Sequence, residues 1–292
     1  MKIALYSRNV TNKTAEVIAE LLDIFKAEGV LAIVHVNIKT AVLTPSVQGC
    51  SLYVTATDLK EHAPDFMISI GGDGSLLDTV TYVKDMQVPV FGINTGRLGF
   101  LAGVSRDIIH EAISDLIKGH FELEPRSLLS LNIEGKEVFG ENNLALNDCV
   151  IYKNHSSSMI MIRAFLNGEY LNSYWSDGII VSTPTGSTGY SLSCGGPILF
   201  PSSSSLAITP IAPHNLNVRP IIISDENVIS LEVETRSATF MVSMDSRTAV
   251  VDSPAQMAIK KSDNQINILR FKSENYLETL RNKLMWGVDS RN

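Results

Sequence analysis

The amino-acid sequence predicts an α/β N-terminal domain with a parallel, Rossmann-like sheet, followed by an all-β, sandwich-like C-terminal domain. Over residues 1–120, short apolar runs alternate with segments of helical periodicity, a pattern typical of a parallel sheet covered on both faces. From residue 121 to about 272, most segments are strand-like and frequent turns separate them, which indicates a second, β-rich domain. The last segment, 273–292, returns to helical spacing.

The elements of the first domain can be assigned in order along the chain. KIALYS and VLAIVHV predict strands, and TAEVIAELLDIFKAEG between them predicts a helix, with Gly29 at the position of a C-terminal cap. Residues 38–60 are weakly patterned and predict a long loop. DFMISI and VPVFGIN predict two further strands, and LLDTVTYV and SRDIIHEAISDLIKGH predict helices. The apolar face of the first helix is formed by Val17, Ile18, Leu21, Leu22 and Phe25.

The second domain is predicted from shorter β-like runs. These runs are SLLSLNIEGKEVFG, SMIMIRAFLNGEYL, GIIVS, RPIIIS, NVISLEVE, ATFMVSM and QINILRF. The serines at 202–205 predict a loop, and YLETLRNKLMWG predicts a final helix.

Composition excludes several classes of protein. A net charge of −7 argues against duplex nucleic acid or an anionic membrane as a partner, because both favour a basic surface. The three cysteines are far apart and form no CxxC motif, so neither a disulfide framework nor a structural zinc site is expected. The sequence shows no signal peptide and no apolar run of about 18 residues, and we expect a cytoplasmic protein.

The stretch GGDGS, Gly71 to Ser75, places one acid among three glycines directly after a predicted strand. Glycine lets the backbone approach a phosphate closely, and ligands of parallel sheets bind outside the carboxyl ends of the strands. The motif is therefore compatible with a phosphate site that contains a catalytic acid. By itself it is equally compatible with a strand-to-helix turn that carries a solvated Asp.

A second glycine-rich turn, INTGRLGFLAG, follows the next predicted strand. Because parallel strands end at one edge of a sheet, the two turns should lie side by side. A structural interpretation also exists, in which Gly96 and Gly99 close a turn while Leu98 and Phe100 pack into the core.

Two stretches of the second domain carry polar side chains between apolar runs. NNLALNDCVI contains Asn147 and Asp148, for which a solvated turn is the simpler interpretation. SDGIIVSTPTGSTGYSLSCGGPI is dense in hydroxyls and glycines, which suits a sugar and phosphate groups. A helix start near Gly186 or Ser187 would offer free N–H groups to an anion, and Tyr190 could stack on a base or pack internally. The P-loop, GxGxxG, GxSxG and HExxH motifs are all missing.

Taken together, these motifs resemble the NAD kinase family of bacterial type. GGDGS, NTGRLGFL, LND, DGIIVSTPTGSTGYSLSCGGPI and PIAPHNLNVRPI occur in the order and spacing of that family, from about residue 66 to the final LRNKLMWG. The segment 177–197 is the most specific part. GGDG alone also occurs in diacylglycerol-type lipid kinases, sphingosine kinases and phosphofructokinases.

The resemblance implies a fold, a reaction and partners. The implied fold has the two domains above, with the last helix packing back on the first domain. The implied reaction transfers the γ-phosphoryl group of ATP to the adenosine-ribose 2′-hydroxyl of NAD, giving NADP. A divalent cation, usually Mg²⁺, accompanies ATP, and the implied assembly is a homo-oligomer, a dimer or a tetramer.

The resemblance also implies roles for individual residues. Asp73 would be the general base and contact the ribose, and Gly74 would let NAD approach. Asn147 and Asp148 would hold ribose hydroxyls. The NAD pocket would further be lined by Asp177, Thr188, Gly189, Tyr190, Ser191, Leu192 and Ser193.

Three departures from the family pattern are visible, and two alternative functions stay open. The family's pair is usually Asn-Glu, whereas this chain has Asn147-Asp148. Trp175 stands where many members carry a basic residue, and Asp245-Ser246-Arg247 replaces an Asp, a Gly or Ser, and a Gln. We hypothesise that Arg247 supplies the positive charge that Trp175 does not. The alternatives are a diacylglycerol-type lipid kinase and a catalytically silent NAD(H)-binding sensor.

Overall fold

The computed structural model describes residues 1–96, 99–154, 158–272 and 275–286. The chain divides into two compact units. The first consists of residues 1–124 together with the residues from Asn267 onward, and the second of residues 125–266.

The secondary structure alternates at first and is then mostly β. The first elements are β1 (Lys2–Tyr6), α1 (Asn12–Ala27), β2 (Leu31–His35), α2 (Val36–Ala41), α3 (Pro45–Gln48), β3 (Ser51–Tyr53), α4 (Ala56–His62), β4 (Phe66–Gly71), α5 (Asp73–Val83), β5 (Val90–Asn94), β6 (Val104–Ser105) and α6 (Ile109–Lys118). Then follow β7 (Phe121–Ile133), β8 (Leu144–Ala145), β9 (Asp148–Lys153), β10 (Ile160–Leu166), β11 (Glu169–Ser176), β12 (Gly178–Ser182), α7 (Tyr190–Ser193) and β13 (Ser205–Ile211). The last are β14 (Ile221–Ser224), β15 (Ile229–Glu234), β16 (Thr239–Met244), β17 (Arg247–Asp252), β18 (Ala255–Phe271) and α8 (Tyr276–Leu284).

The first unit is built on a parallel sheet in the order β3-β2-β1-β4-β5. β6 and Ile268, near the end of β18, also pair with β5 in parallel. The central strands are buried on both faces, which explains why KIALYS and DFMISI are continuously apolar. On one face α1 and α6 share a core with the sheet, while α5 contacts β4 and β5.

Helix α1 forms where the apolar spacing predicted it. Thr11 caps its N-terminus by accepting from the N–H of Thr14, and Gly29 follows its C-terminal end with a positive φ of 67°. All five residues of its predicted apolar face are buried, namely Val17, Ile18, Leu21, Leu22 and Phe25.

The prediction of a long loop over residues 38–60 is wrong. This region contains the end of α2, then α3, the edge strand β3 and most of α4. The elements are only three to seven residues long, too short for periodicity to show. Their local signals are Pro45 at the start of α3 and the capping box of Thr55 with Asp58 at the start of α4.

The second unit is a sandwich of antiparallel strands. One layer has the order β14-β13-β12-β9-β16-β17, and the other contains β11-β10-β15 and the first part of β18. Apolar side chains from both layers form one core, with Ile151 and Val181 from the first and Ile162 and Leu231 from the second. The predicted fold class, an α/β domain and a β-sandwich-like domain, is confirmed.

Two strands are longer than the sequence predicts. β7 begins at Phe121, and β18 begins at Ala255, ten residues before the predicted QINILRF. The early part of β18 contains exposed residues such as Lys260, whose polarity makes the sequence resemble a loop. Among the described residues, no helix has both the length and the apolarity that a membrane span requires.

Candidate active site

The glycine turn after β4 is closed by contacts that only glycine permits. Gly71 has a φ of +145°, and a Cβ built on it would lie 2.5 Å from the Oγ of Ser75. Gly72 is the N-cap of α5, and Asp73 is the first residue of that helix. The turn therefore places the Asp73 carboxylate at a helix N-terminus, at the carboxyl edge of the parallel sheet.

Three backbone N–H groups from the second glycine-rich turn bind the Asp73 carboxylate. The N–H of Phe100 donates to Oδ2 at 2.8 Å, and those of Leu101 and Ala102 donate to Oδ1 at 3.1 and 3.0 Å. A Cβ on Gly99 would lie only 1.8 Å from Asp73 Oδ1, so this approach requires glycine at position 99. A carboxylate has about four lone-pair positions, and among the described residues no further donor occupies the remaining one on Oδ2. The prediction that the two turns lie side by side is confirmed; Leu98 lies outside the described residues.

A second set of contacts holds the glycine turn from the other side. The guanidinium of Arg8, just after β1, donates to the carbonyl of Gly74 at 2.8 Å and to both carboxylate oxygens of Asp78. Tyr6 Oη donates to Asp78 Oδ2 at 3.0 Å; burial, and then the charge of Asp78, raise the pKa of Tyr6. A Cβ on Gly74 would lie 3.3 Å from Arg8 Nη1, so the small residue at 74 leaves room for this arginine.

A cavity of about 220 Å³ lies at the carboxyl end of β5. Its walls include the side chains of Lys13 and Arg106, and Arg106 also forms ion pairs with Glu16 and Glu20. The first unit thus places basic groups at the same sheet edge as Asp73.

In the second unit, a buried aspartate binds the backbone of the Asn147-Asp148 pair. Asp245 lies in the turn between β16 and β17 with a φ of +53°, and its side chain is 1% exposed. Its Oδ2 accepts from the N–H of Leu146 at 2.9 Å, and its Oδ1 accepts from those of Asn147 and Asp148 at 2.8 and 3.2 Å. The chain before β9 is therefore fixed by a residue about a hundred positions later.

The proximity of Asp245 and burial change the protonation of Asp148. Desolvation, and then the charge of Asp245, raise the pKa of Asp148 to about 7. Burial also raises the pKa of Asp245, although the three N–H groups and Arg247 act in the opposite direction. The three N–H groups and Arg247 favour the charged form of Asp245, whereas no such group among the described residues lowers the pKa of Asp148.

Asn147 offers a buried oxygen to a ligand. Its Oδ1 is buried and has no hydrogen-bond partner among the described residues. An unmatched buried acceptor is costly, so a donor from a bound molecule would be stabilised there. A Cβ on Gly189 would lie 3.5 Å from Asn147 Nδ2, which shows how close the following loop comes to this side chain.

The hydroxyl-rich segment packs directly against this pair. Thr183 donates from its N–H to the carbonyl of Asn147 at 2.9 Å and from its Oγ1 to the carbonyl of Leu146 at 2.6 Å. A Cβ on Gly186 would lie 2.1 Å from the Asn147 carbonyl oxygen. The predicted helical start is present as a single 3₁₀ turn, Gly186–Thr188, followed by the one-turn helix α7.

Within this segment the predicted pocket residues differ in exposure. Tyr190 and Ser193 are exposed, while Thr188, Gly189 and Leu192 are half-buried. Ser191 is buried, and its hydroxyl pairs with Thr209 Oγ1 at 2.8 Å.

Asp177 lies at the other end of strand β12 from the acid pair. In the register with β9, Ser182 is opposite Asp148 and Gly178 is opposite Tyr152. Four residues of strand, about 13 Å, separate these positions. The Asp177 carboxylate forms an ion pair with Lys153 Nζ at 2.7 Å.

Comparison with known proteins assigns the family. The ATP-NAD kinase N-terminal domain matches residues 25–121, and the ATP-NAD kinase C-terminal domain matches residues 146–271. The chain belongs to the ATP-NAD kinase family. An NAD kinase of Flavobacterium psychrophilum is 42% identical over 295 residues and all of both chains, and one of Cytophaga hutchinsonii is 49% identical over 82% of this chain and 81% of that protein.

Two solved structures share the fold of this ATP-NAD kinase family member. Yeast NADH kinase complexed with NADH superimposes with a TM-score of 0.86 at 21% identity, covering 99% of this chain and 88% of that one. An NAD kinase from Archaeoglobus fulgidus in complex with ATP gives 0.73 at 24% identity, covering 98% and 99%. The family assignment favours NAD over the lipid acceptor of the alternative kinase hypothesis.

Besides the Asn147-Asp148 pair, the departures from the kinase family pattern are Trp175 and Arg247, and these two residues have different surroundings. Trp175 is half exposed on β11, with its ring centroid 6.3 Å from that of His214. Arg247 donates to the carbonyls of Asn142 and Leu144 and lies 4.0 Å from Asp245 Oδ2. Its guanidinium thus stabilises the segment before Asn147, a placement that favours a structural role over ATP binding.

The sequence motifs did not point to Arg8 or Asp78, nor to the binding of the backbone of residues 146–148 by Asp245. Arg8 had a usable signal, because it follows β1, the neighbour of β4, and must therefore reach the edge that carries GGDGS. Asp245 had no comparable signal, since its partners are backbone groups.

A metal centre made of protein ligands is not found in the described ranges. No group of three or more His, Cys, Asp or Glu side chains within them could hold a cation. The two acids of α5 are engaged otherwise, Asp73 by N–H groups and Asp78 by Arg8 and Tyr6. These residues do not fit a protein-held cation, and no step below runs through one.

Proposed function

We propose that this chain transfers the γ-phosphoryl group of ATP to the 2′-hydroxyl of the adenosine ribose of NAD, with Asp73 as the general base. The observation that carries the proposal is the Asp73 carboxylate, which three backbone N–H groups hold at the end of the glycine turn. Family membership supplies the substrates, because both matching domain models are those of ATP-NAD kinases.

In the reaction, the proton of the 2′-hydroxyl passes to the open lone pair on Asp73 Oδ2 while the hydroxyl oxygen bonds to the γ-phosphorus. The bond between the γ-phosphorus and the β–γ bridging oxygen breaks, and ADP leaves with that electron pair. Phosphoryl transfer depends mainly on positioning and charge stabilisation. A base already held in one orientation needs little reorganisation to accept the proton.

Asn147 and Asp148 are assigned to the ribose hydroxyls of NAD. The supporting observation is the buried, unmatched Oδ1 of Asn147, which a hydroxyl donor would satisfy. Gly186 leaves the room that this arrangement needs, because a Cβ there would lie 2.1 Å from the carbonyl oxygen of Asn147. Asp148 is shorter than the usual Glu, and its raised pKa makes it a hydrogen-bond donor as well as an acceptor near neutrality.

The remaining NAD contacts are assigned to Asp177 and to the segment 188–193. Tyr190 and Ser193 expose their side chains and are available to a ligand directly. Ser191 acts through its backbone, because its hydroxyl is bonded to Thr209.

The proposal also includes the setting of the reaction. A divalent cation, Mg²⁺, accompanies ATP and is held by phosphates and water rather than by a protein cluster. The protein acts in the cytoplasm as a homo-oligomer, and sedimentation velocity would determine whether it is a dimer or a tetramer.

The test measures NADP formation from NAD, ATP and Mg²⁺ by the wild type and by Asp73→Asn. We expect a loss of kcat of about 10²- to 10⁴-fold in the variant, because the amide cannot take the proton. The matched control is Asp252→Asn, a carboxylate that is 80% exposed on β17, and it should retain wild-type rates.

Each other outcome removes a stated part of the proposal. Equal activity of Asp73→Asn and the wild type would keep the kinase and remove Asp73 from proton transfer. A wild type that binds NAD without forming NADP would overturn the kinase assignment in favour of the silent sensor.

A further inference from the structure

In the segment Gly99–Ala102, which holds Asp73, Leu101 and Ala102 are buried, whereas Phe100 is only half-buried. Gly99, Phe100 and Gly103 line a cavity of about 560 Å³ in the first unit. Gly99 and Gly103 flank residues 100–102 and leave the backbone there permissive, and on the cavity side Phe100 is not closely packed. On the cavity side, a polar contact to the backbone of Phe100 would help to fix the direction of these N–H groups.

Arg270, near the end of β18, provides such a contact. Its Nη2 donates to the carbonyl of Phe100 at 3.2 Å, and its Nε donates to Glu124 Oε2 at 3.2 Å. The Arg270 side chain is 19% exposed, and that of Glu124 is 33% exposed. One planar guanidinium thus links a carboxylate to the backbone of the segment in a fixed geometry.

The Phe100 peptide groups connect this pair to the proposed base. The N–H of Phe100 donates to Asp73 Oδ2, and its carbonyl accepts from Arg270. The next two N–H groups, of Leu101 and Ala102, follow in the same short stretch and donate to Oδ1. Releasing the Phe100 carbonyl would let the peptide planes rotate and would weaken the hold on Asp73.

We propose that Arg270, held by Glu124, is a positioning residue for Asp73: it fixes the Phe100 carbonyl and thereby directs the N–H groups that orient the carboxylate. The inference rests on the proposed function in that Asp73 is taken as the base. Arg270 itself contacts neither substrate in this scheme; it acts through the backbone of residues 100–102.

The first test is steady-state kinetics of Arg270→Gln and Glu124→Gln. We expect kcat to fall about 10- to 100-fold with the KM values for NAD and ATP changed less than about 3-fold, because orientation of the base is lost and binding is kept. Arg270→Lys keeps a donor and should recover part of kcat. The control Arg163→Gln removes an arginine that pairs with Glu234 on β15, and its kcat should match the wild type.

A double-mutant cycle separates positioning from a general structural role. In the Asp73→Asn background, Arg270→Gln should lower kcat no further, since there is no base left to orient. An equal drop in both backgrounds would overturn the proposal. So would a wild-type kcat in Arg270→Gln.

Hydrogen exchange gives a readout that does not need activity. The amides of Phe100, Leu101 and Ala102 should exchange faster in Arg270→Gln, while those of β1 keep their protection. If the wild type forms no NADP, the proposed function fails, and this exchange comparison still decides whether Arg270 orders the segment. Should Arg270→Gln fail to fold, Glu124→Gln and Arg270→Lys provide the same comparison; unchanged protection would overturn the proposal.

Discussion

Two aspartates of this molecule, one in each unit, are bound in the same way and serve different ends. Asp73 and Asp245 each accept three N–H groups from consecutive residues, 100–102 and 146–148. Asp73 is only half-buried, whereas the Asp245 side chain is 1% exposed. The difference teaches that access for a ligand, and not the number of hydrogen bonds, distinguishes Asp73, the proposed base, from the buried Asp245.

The largest effect is expected from a substitution that keeps the segment 99–102 away from Asp73. Gly99→Ala would place a Cβ 1.8 Å from Asp73 Oδ1, so the segment must move away from the carboxylate. We expect kcat for NADP formation to fall about 100-fold or more. The control Gly49→Ala has its nearest Cβ neighbour at 3.5 Å and a negative φ, and its kcat should stay at the wild-type value. Wild-type turnover by Gly99→Ala would show that the observed hydrogen bonds are not needed for catalysis.

For stability we expect the opposite order: loss of the Asp245 side chain should lower the free energy of unfolding more than loss of the Asp73 side chain. Asp245→Ala leaves three buried N–H groups without an acceptor and should cost about 3 kcal/mol of unfolding free energy. Asp73→Ala exposes its N–H groups to water more readily and should cost about 1 kcal/mol. Urea unfolding at one pH, followed by circular dichroism, measures both. Similar losses in the two variants would contradict the assigned difference in burial.

The raised pKa of Asp148 predicts that the stability of the protein depends on pH. The pKa of Asp148 is raised from 3.8 to about 7, so its contribution to stability is present below about pH 4 and is lost as pH rises toward 7. Asp148→Asn should therefore gain stability relative to the wild type on going from pH 5 to pH 8, by about 1 kcal/mol or more. Denaturant unfolding at both pH values, with Asp252→Asn as the control, tests this. A stability difference that is the same at both pH values would contradict the raised pKa of Asp148.

The smallest effect is expected at Arg247. Its guanidinium donates to the carbonyls of Asn142 and Leu144, so Arg247→Gln should lower stability by about 1 kcal/mol. The KM for ATP should change less than about 2-fold. A large rise in that KM would restore the hypothesis that Arg247 binds ATP. The matched comparison is Arg163→Gln, whose ion pairs are exposed.

The sequence predicts the surroundings of Asp73 much better than those of Asp245. GGDGS and INTGRLGFLAG end neighbouring parallel strands, and topology alone requires the two turns to meet. The three N–H contacts to Asp73 depend on the exact path of residues 99–102, which composition does not determine. The sequence gives no sign that Asp245 binds this backbone, because its partners lie about a hundred residues away and have no side-chain signature.

The same limits determine which secondary-structure elements can be predicted from the sequence. Long, strongly periodic elements such as α1 were predicted to within two residues. The short elements α3 and β3, of four and three residues, are fixed by tertiary contacts and by local capping rather than by periodicity. The polar first part of β18 was missed, because an exposed strand can carry the composition of a loop.

The use of main-chain donors for Asp73 also determines which mutations the site can survive. A side-chain partner is lost with any substitution that removes its polar group, but an N–H group remains with every residue except proline. In a library of single substitutions, positions 100–102 should therefore reject proline and accept other residues that fit the available space. Position 99, where the chain itself meets the carboxylate, should accept glycine alone. The tolerance profile of this active site would then follow the course of its backbone rather than the identity of its neighbouring side chains.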